Sequence, residues 1–180
     1  MKIVTFKSEN VIHECLKSIG NEIPITIIEN SNNSKFKHDL EKKYKNVKCI
    51  LSGLNLGMGP ANNLGINSTK NEYILILNPD VILEHNTIDE LILASKHIPN
   101  FAILSPVSKN KEYPNYKMFK NHKGKIENNL PIKVLSVDGY AMLFNRKNMN
   151  KIIVQNDNNK NYFDENFFMY LENDDLCKRV

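Results

Sequence analysis

Short β-branched runs alternate with stretches of helical period from the first residue onward, and this alternation narrows the fold more than any other feature. Residues 2–6 (KIVTF), 25–30 (ITIIEN), 47–52 (VKCILS) and 72–83 (EYILILNPDVIL, broken by Pro79) read as strands. Between them, residues 9–19 place Val11, Ile12, Cys15, Leu16 and Ile19 on one helical face, and residues 35–44 form a second helix. Residues 61–67 make a third helix after a Gly-rich turn. Residues 87–98 make a fourth, with Thr87 as its N-cap and an acid soon after it. Residues 101–107 (FAILSPV) are a further strand. Strands alternating with helices predict an α/β domain with a Rossmann-like, mostly parallel central sheet flanked by helices. Such sheets are covered on both faces, which accounts for the nearly unbroken apolar strands.

The second half is less regular. Residues 109–131 are polar, hold Pro114 and Gly124, and form either a mobile loop or a small hairpin excursion. Residues 133–146 (KVLSVDGYAMLFNR) read as a strand interrupted at Asp138-Gly139, and residues 148–161 as a short helix and a loop. If residues 166–179 (NFFMYLENDDLCKR) are helical, Phe168, Glu172 and Asp175 share a face and Leu176 turns back to the core.

The chain has 180 residues and is read as one domain. Its formal net charge of +4 comes from lysines scattered along the chain. The stretch KFKHDLEKKYK (residues 35–45) mixes signs and reads as a solvated helix face, so no nucleic-acid partner is expected. The basic excess suits an anionic small molecule or a membrane surface. Cys15, Cys49 and Cys177 are widely spaced and form no CxxC, as expected of reduced thiols, with Cys15 and Cys49 packed inside. The longest apolar runs are too short to span a bilayer, and no secretory signal pattern is visible, so a cytoplasmic location is expected.

Ligands of open α/β sheets bind beyond the carboxyl ends of the strands, and that rule selects the polar residues of interest. Asp80, after Pro79 at a strand end, is either a turn aspartate or a carboxylate presented to a divalent cation. Glu29 is a solvated loop acid or an acceptor for a ribose hydroxyl or a base N–H; Asn30 follows it. In NLGMGPANNLGI, Gly57 and Gly59 permit a tight turn and close backbone approach, although the pattern is neither GxGxxG nor a P-loop. Asn55 and Asn63 bond to a nucleotide base or to the loop itself. Asp138-Gly139 is a bulge, or a backbone shelf under a sugar. The C-terminal acids form a solvated helix face, or hold a carboxylate against apolar walls as a general base.

These motifs together resemble the family 2 glycosyltransferases, in particular their rhamnosyltransferase-like branch. Six stretches occur in the family's order: IVTF…CLKSI, ITIIENSNN, NLGMGPANNLGI, ILNPDV, VDGYAMLFNR and FDENFFMYLENDDLCKR. The resemblance implies a GT-A fold and transfer of a sugar, with inversion, from a nucleotide-diphosphate donor such as a UDP- or dTDP-sugar. The acceptor would be a glycan or lipid-linked glycan in cell-surface polysaccharide synthesis, with peripheral association at the inner membrane face. It implies Mg²⁺ or Mn²⁺ at Asp80, with Asn78 where the family's DxD-like motif often has its first Asp. Glu29, Asn30, Asn55, Gly57, Asn63, Asn78, Asp138 and Gly139 would surround the donor. Residues 1–108 would be the donor half and residues 109–180 the acceptor half.

Glu172 and Asp175 match acids of the family's EDxDL motif. Asn173 stands where a second acid is usual, and an amide accepts no proton at neutral pH. Glu172 is therefore the expected base, with Asp174 or Asp175 as alternates. Relatives usually continue past Arg179, so the acceptor side is expected to be incomplete. The competing expectation is a catalytically silent or truncated nucleotide-sugar-binding protein. A sugar nucleotidylyltransferase would need a Gly- and basic-rich N-terminal loop, and KIVTFKSEN has no glycine.

Overall fold

The computed structural model describes residues 1–110, 112–120, 131–156 and 159–180. In chain order the elements are β1 (Lys2–Thr5), α1 (Ile12–Ile19), β2 (Ile25–Glu29), α2 (Ser34–Lys43), β3 (Val47–Leu51), α3 (Met58–Asn67), β4 (Tyr73–Leu77), α4 (Thr87–His97), β5 (Ile103–Leu104), β6 (Tyr116–Lys117), β7 (Ser136–Val137), β8 (Ala141–Asn145), α5 (Arg146–Met149), β9 (Val154–Asn156), β10 (Asn159–Asn161) and α6 (Glu172–Arg179).

β1, β2, β3 and β4 pair in parallel because each is followed by a helix that carries the chain back across the sheet. The sheet order is β3-β2-β1-β4-β8-β5, with β8 antiparallel to both neighbours. β8, from the second half of the sequence, is thus wedged between two strands of the first half. All five of its residues are buried, as are all four of β1. One face of the sheet packs Ile3, Ile27 and Leu77 against Ile12, Cys15 and Leu16 of α1 and Phe36 and Leu40 of α2. The other face packs Ile74, Ile76, Met142 and Phe144 under Ile66, Tyr162, Phe163 and Leu176.

Several sequence expectations are corrected in detail. The fourth strand ends at Leu77, so Asn78, Pro79 and Asp80 lie wholly beyond the sheet. Residues 9–11 do not join the first helix, and Val11 is exposed. Thr87 is the first residue of α4 rather than its cap; Asn86 holds the cap position without a side-chain cap bond. Only Ile103–Leu104 of the 101–107 run is paired. Tyr116–Lys117 of the polar stretch (β6) pairs antiparallel with Ser136–Val137 (β7) of the 133–146 run rather than within the stretch itself, and residues 111 and 121–130 lie outside the described residues. The stretch 148–161 holds an antiparallel β9–β10 pair after α5, with residues 157–158 likewise outside. Cys15 and Cys49 are buried free thiols, as expected.

The predicted helix over 166–179 forms only from Glu172. Tyr170 and Leu171 adopt left-handed backbone (φ 66° and 67°), which ends any helical continuity with Phe168. Phe168 therefore does not share a helical face with Glu172. Its carbonyl instead accepts from the backbone N–H of Met58 at 2.9 Å, capping an orphan donor of α3.

The far end of α3 is closed by Arg146. Its guanidinium donates to the carbonyls of Ile66, Thr69 and Asn71 and to the Tyr162 hydroxyl, at 2.8–3.1 Å. A cation at a helix C-terminus is also favoured by the helix dipole.

Candidate active site

The carboxyl ends of β2, β3 and β4 and the turn before β8 converge on one rim. Glu29 is fully buried. Its Oε1 accepts from the Ser31 backbone N–H and hydroxyl, and its Oε2 from the Asn33 backbone N–H. The carboxylate thereby fixes the turn into α2, whose first N–H groups are capped by Asn33. Asn30 is 2% exposed and ties this turn to the Gly-rich loop. It donates to the side-chain oxygen of Asn55 and the carbonyl of Gly57, and accepts from the N–H of Leu56. The Asn55 oxygen also accepts from the Gly57 N–H. Of the two alternatives for Asn55, the structure contains the bond to the loop itself.

Gly57 has φ +81°, and a Cβ there would fall 2.2 Å from the Phe168 carbonyl oxygen. A Cβ on Gly59 would meet the Phe163 side chain at 3.3 Å. The close approach read from the sequence is therefore made by the chain's own 163–168 segment. Asn63 clamps the same segment. Its oxygen accepts from the N–H groups of Tyr162 and Phe163, and its amide donates to the Phe163 carbonyl and Glu165. Asn63 is buried and its groups are taken up within the chain.

Two cavities open along the rim. One, of about 670 Å³, is lined by Asp80, Glu84, Thr87, Ser108, Lys109 and Asn110 among others. The Asp80 side chain is exposed there and makes no hydrogen bond or ion pair among the described residues. Beneath it lies the Cys15 thiol, which burial and the Asp80 charge push up to about 12. The second cavity, of about 410 Å³, lies between Met58 and Asn62 of α3, the Asp138-Gly139 turn and the start of α6 at Glu172 and Asn173. Asn78 and Tyr140 line both cavities. They are locked together, because the Asn78 N–H donates to the Tyr140 carbonyl at 2.8 Å. Burial raises the Tyr140 phenol above its ordinary value; Asp138 adds to this and a hydrogen bond with Ser108 opposes it.

The C-terminal acids have separate fates. Asp174 accepts from Lys117 at 2.8 Å, and this bond lowers its carboxyl below the usual range. Asp175 is bound by Arg179 at 2.8–2.9 Å, and Arg179 in turn donates to the carbonyls of Ile152 and Tyr162. Glu172 lines the smaller cavity, and its Oε2 is buried with no hydrogen-bond partner. Asn173 donates to the Val137 carbonyl and packs against Gly139, where a Cβ would come within 3.3 Å of its own. Asp138 is exposed beside them.

Sequence reasoning missed Asn62 and Tyr140. Asn62 is 3% exposed, lines the smaller cavity, and carries a second buried oxygen without a partner. Helical period separates Asn62 from Asn63 by about 100° around α3, so the two cannot do the same work; that was the available signal. Tyr140 carried none beyond its place after the Asp138-Gly139 turn. No group of three or more His, Cys, Asp or Glu side chains suited to a metal ion is found among the described residues. Nor is any helix among them long and apolar enough to cross a membrane.

The chain is 27% identical over 196 aligned residues to the low-salt glycan biosynthesis hexosyltransferase Agl10 of Haloferax volcanii, covering 99% of this chain and 60% of that one. Among solved structures it resembles S. aureus TarS 1-349 in complex with UDP (TM-score 0.66, 18% identity, 97% of this chain, 52% of that one). It also resembles the mannosyltransferase PcManGT of Pyrobaculum calidifontis in complex with GDP-Man and Mn²⁺ (TM-score 0.59, 12% identity, 81% and 44%). The chain thus spans 44–60% of the length of these relatives, and the structural likenesses carry the GT-A glycosyltransferase fold. The family model described as "Glycosyl transferase family 2" matches residues 2–174, nearly the whole chain, and this protein belongs to that family.

Proposed function

We propose that this protein transfers a sugar from a nucleoside-diphosphate donor to a hydroxyl of a glycan or lipid-linked glycan, with inversion at the anomeric carbon. The observation that carries the reading is the pair of adjoining cavities: an unpaired Asp80 on one, the unpartnered Glu172 oxygen on the other, and Asn78 and Tyr140 common to both. A donor lying across that shared wall has its diphosphate near Asp80 and its sugar facing Glu172. The relatives in complex with UDP, UDP-GlcNAc and GDP-Man support this class of donor.

The chemistry is a single displacement. The acceptor oxygen bonds to the anomeric carbon as the bond from that carbon to the phosphate oxygen breaks, and the electron pair leaves with the diphosphate. Glu172 takes the hydroxyl proton. Asp174 and Asp175 are poorer candidates because each carboxylate is occupied by a cation. Asp80 fits a cation that takes one or two protein carboxylates and fills its shell with phosphate oxygens and water. Such a Mg²⁺ or Mn²⁺ would supply charge neutralisation of the leaving diphosphate. Glu29, Asn30, Asn55, Gly57 and Asn63 shape the donor side by holding the loops around it, and the Asp138-Gly139 turn, braced by Asn173, forms the sugar side. In this reading the donor half and the acceptor half meet at β8.

A second reading draws on Asn173. It occupies the usual position of an acid in the family motif and is committed to the Val137 carbonyl, which suits a nucleotide-sugar-binding protein without turnover. Calorimetry with UDP, dTDP and GDP, with Mn²⁺ and then EDTA, tests donor binding. Metal-dependent binding that Asp80→Ala abolishes supports the donor site, and no binding by the folded chain refutes it. Donor hydrolysis or transfer that falls at least ~10²-fold in Glu172→Gln supports the enzyme. Binding without any turnover selects the second reading.

A further inference from the structure

We infer that Asn62 is a specificity-determining residue whose side-chain oxygen accepts a hydrogen bond from a hydroxyl of the sugar held in the smaller cavity. This rests on the donor reading above and deepens it.

Four of the six buried asparagines among the described residues have their side-chain oxygens occupied by backbone donors. Asn30 accepts from Leu56, Asn63 from Tyr162 and Phe163, Asn115 from Ser108, and Asn145 from Lys147. Asn62 breaks that rule: it is as buried as these, yet its oxygen has no donor. An unsatisfied buried acceptor costs stability, and in a folded protein it calls for an explanation. Asn161 is a second exception, but it does not line the cavity.

The chemistry of the cavity says what can supply the donor. Its other unpartnered buried atom is the Glu172 Oε2, which is also an acceptor. Two acceptors cannot satisfy each other. An ionised phosphate brings only acceptors and supplies neither oxygen with a donor. A hydroxylated ring brings several O–H donors and presents C–H faces to the apolar wall of Met58, Met142 and Phe163. The sugar, rather than the diphosphate, is therefore the part of the donor that matches this cavity. Met58, Met142 and Met169 are unbranched and can re-rotate to let a hydroxyl reach the covered oxygen.

The test compares nucleoside diphosphates with nucleotide sugars, all with Mn²⁺. UDP, UDP-glucose, UDP-GlcNAc and GDP-mannose are titrated first. The hexose that binds more tightly than its bare diphosphate is then compared with its 2-, 3-, 4- and 6-deoxy forms. The expected result is that one deoxy form loses about tenfold in affinity on the wild type and nothing on Asn62→Leu, while bare diphosphate binds both proteins equally. Asn62→Ala, which also removes the acceptor and is smaller, must lose the discrimination too and covers the case in which Asn62→Leu does not fold, while Asn62→Asp, which keeps an acceptor, retains it. Equal discrimination by wild type and Asn62→Leu overturns the assignment, as does a wild type for which no hexose improves on its diphosphate. Failure of every diphosphate to bind is a different result: it removes the donor reading itself, and this inference with it.

Discussion

The junction between Gly57 and the 163–168 segment can be isolated by a matched pair of substitutions. Gly57 and Gly20 have almost the same backbone conformation: φ 81°, ψ −175° and φ 83°, ψ −178°. Both lie in a region that is essentially closed to residues with a Cβ, at a cost of about 1–3 kcal/mol. They differ in what the Cβ meets. At Gly20 nothing lies within 4 Å, whereas at Gly57 the Phe168 carbonyl oxygen is 2.2 Å away and its carbon 2.9 Å. Gly20→Ala therefore reports the backbone cost alone. Gly57→Ala adds displacement of Phe168 and loss of its bond to the Met58 N–H, about 0.5–1.5 kcal/mol, together with the packing of the displaced segment. Urea unfolding of the two variants should separate them by at least about 1 kcal/mol, Gly57→Ala being the less stable. A difference below about 0.5 kcal/mol would refute the claim that this glycine is required by contact with Phe168. Nucleotide titration adds a second readout: Gly20→Ala, on the far side of the sheet, leaves affinity unchanged, while Gly57→Ala weakens it by shifting Met58.

Three further outcomes are expected. Arg146→Met should destabilise the fold by about 2–4 kcal/mol in denaturant melts, because three carbonyls near the end of α3 lose their donor, and Arg146→Lys should not restore it. Lys2 is buried and bonded only to the hydroxyls of Thr26 and Ser68, and desolvation lowers it to about 8, helped by Arg146 and Lys48. Between that value and its unfolded value near 10.5 the unfolded chain holds the extra proton, so this group makes stability rise with pH; the wild-type-minus-Lys2→Met difference curve should rise across that window, and a flat curve contradicts it. The Asp174 carboxyl is depressed chiefly by the Lys117 bond, so its contribution is present at neutral pH and lost on acidification; the salt-exposed pair is weak, and Lys117→Ala should leave neutral-pH stability within ~1 kcal/mol of wild type.

The sheet was legible because β1, β2 and β4 are buried along nearly their whole length and advertise themselves as apolar runs, while the edge strand β3 keeps Lys48 exposed. The rule that ligands sit at strand ends then singled out Asp80 as a candidate, and the structure places it on a cavity at the rim. What it could not give is the role of residues that bind the chain rather than a ligand. Asn63 meets the Phe163 carbonyl from a hundred residues away, and no local pattern encodes so distant a partner. Gly57 is a similar case: a requirement for close backbone approach is visible in the sequence, but the group that approaches, the Phe168 carbonyl, is not. The helix expected over 166–179 failed at Tyr170 and Leu171, where tertiary demand overrides helical propensity. The Phe168 carbonyl is fixed to α3, and the chain must turn sharply before Glu172 can begin α6.

The crowd of acids at the end of a basic chain follows from that geometry. In the proposed reading, a carboxylate that accepts a proton beside a negatively charged donor must not be held by a cation, yet several acids on one short helix repel one another. The chain answers by giving Asp174 to Lys117 on the β6–β7 hairpin and Asp175 to Arg179 one turn along α6. Those two pairs use the nearby cations and leave Glu172, at the helix start, on the cavity it shares with Asp138. The helix dipole favours acidic residues at that end, where Glu172, Asp174 and Asp175 make up the first turn. Removing a pairing cation should then disturb Glu172 indirectly. In Arg179→Met the Asp175 carboxylate and the carbonyls of Ile152 and Tyr162 lose their shared donor, so α6 is held less firmly and turnover should fall about tenfold with donor affinity unchanged. Turnover within about twofold of wild type in a folded Arg179→Met protein would refute the claim that this pairing positions Glu172.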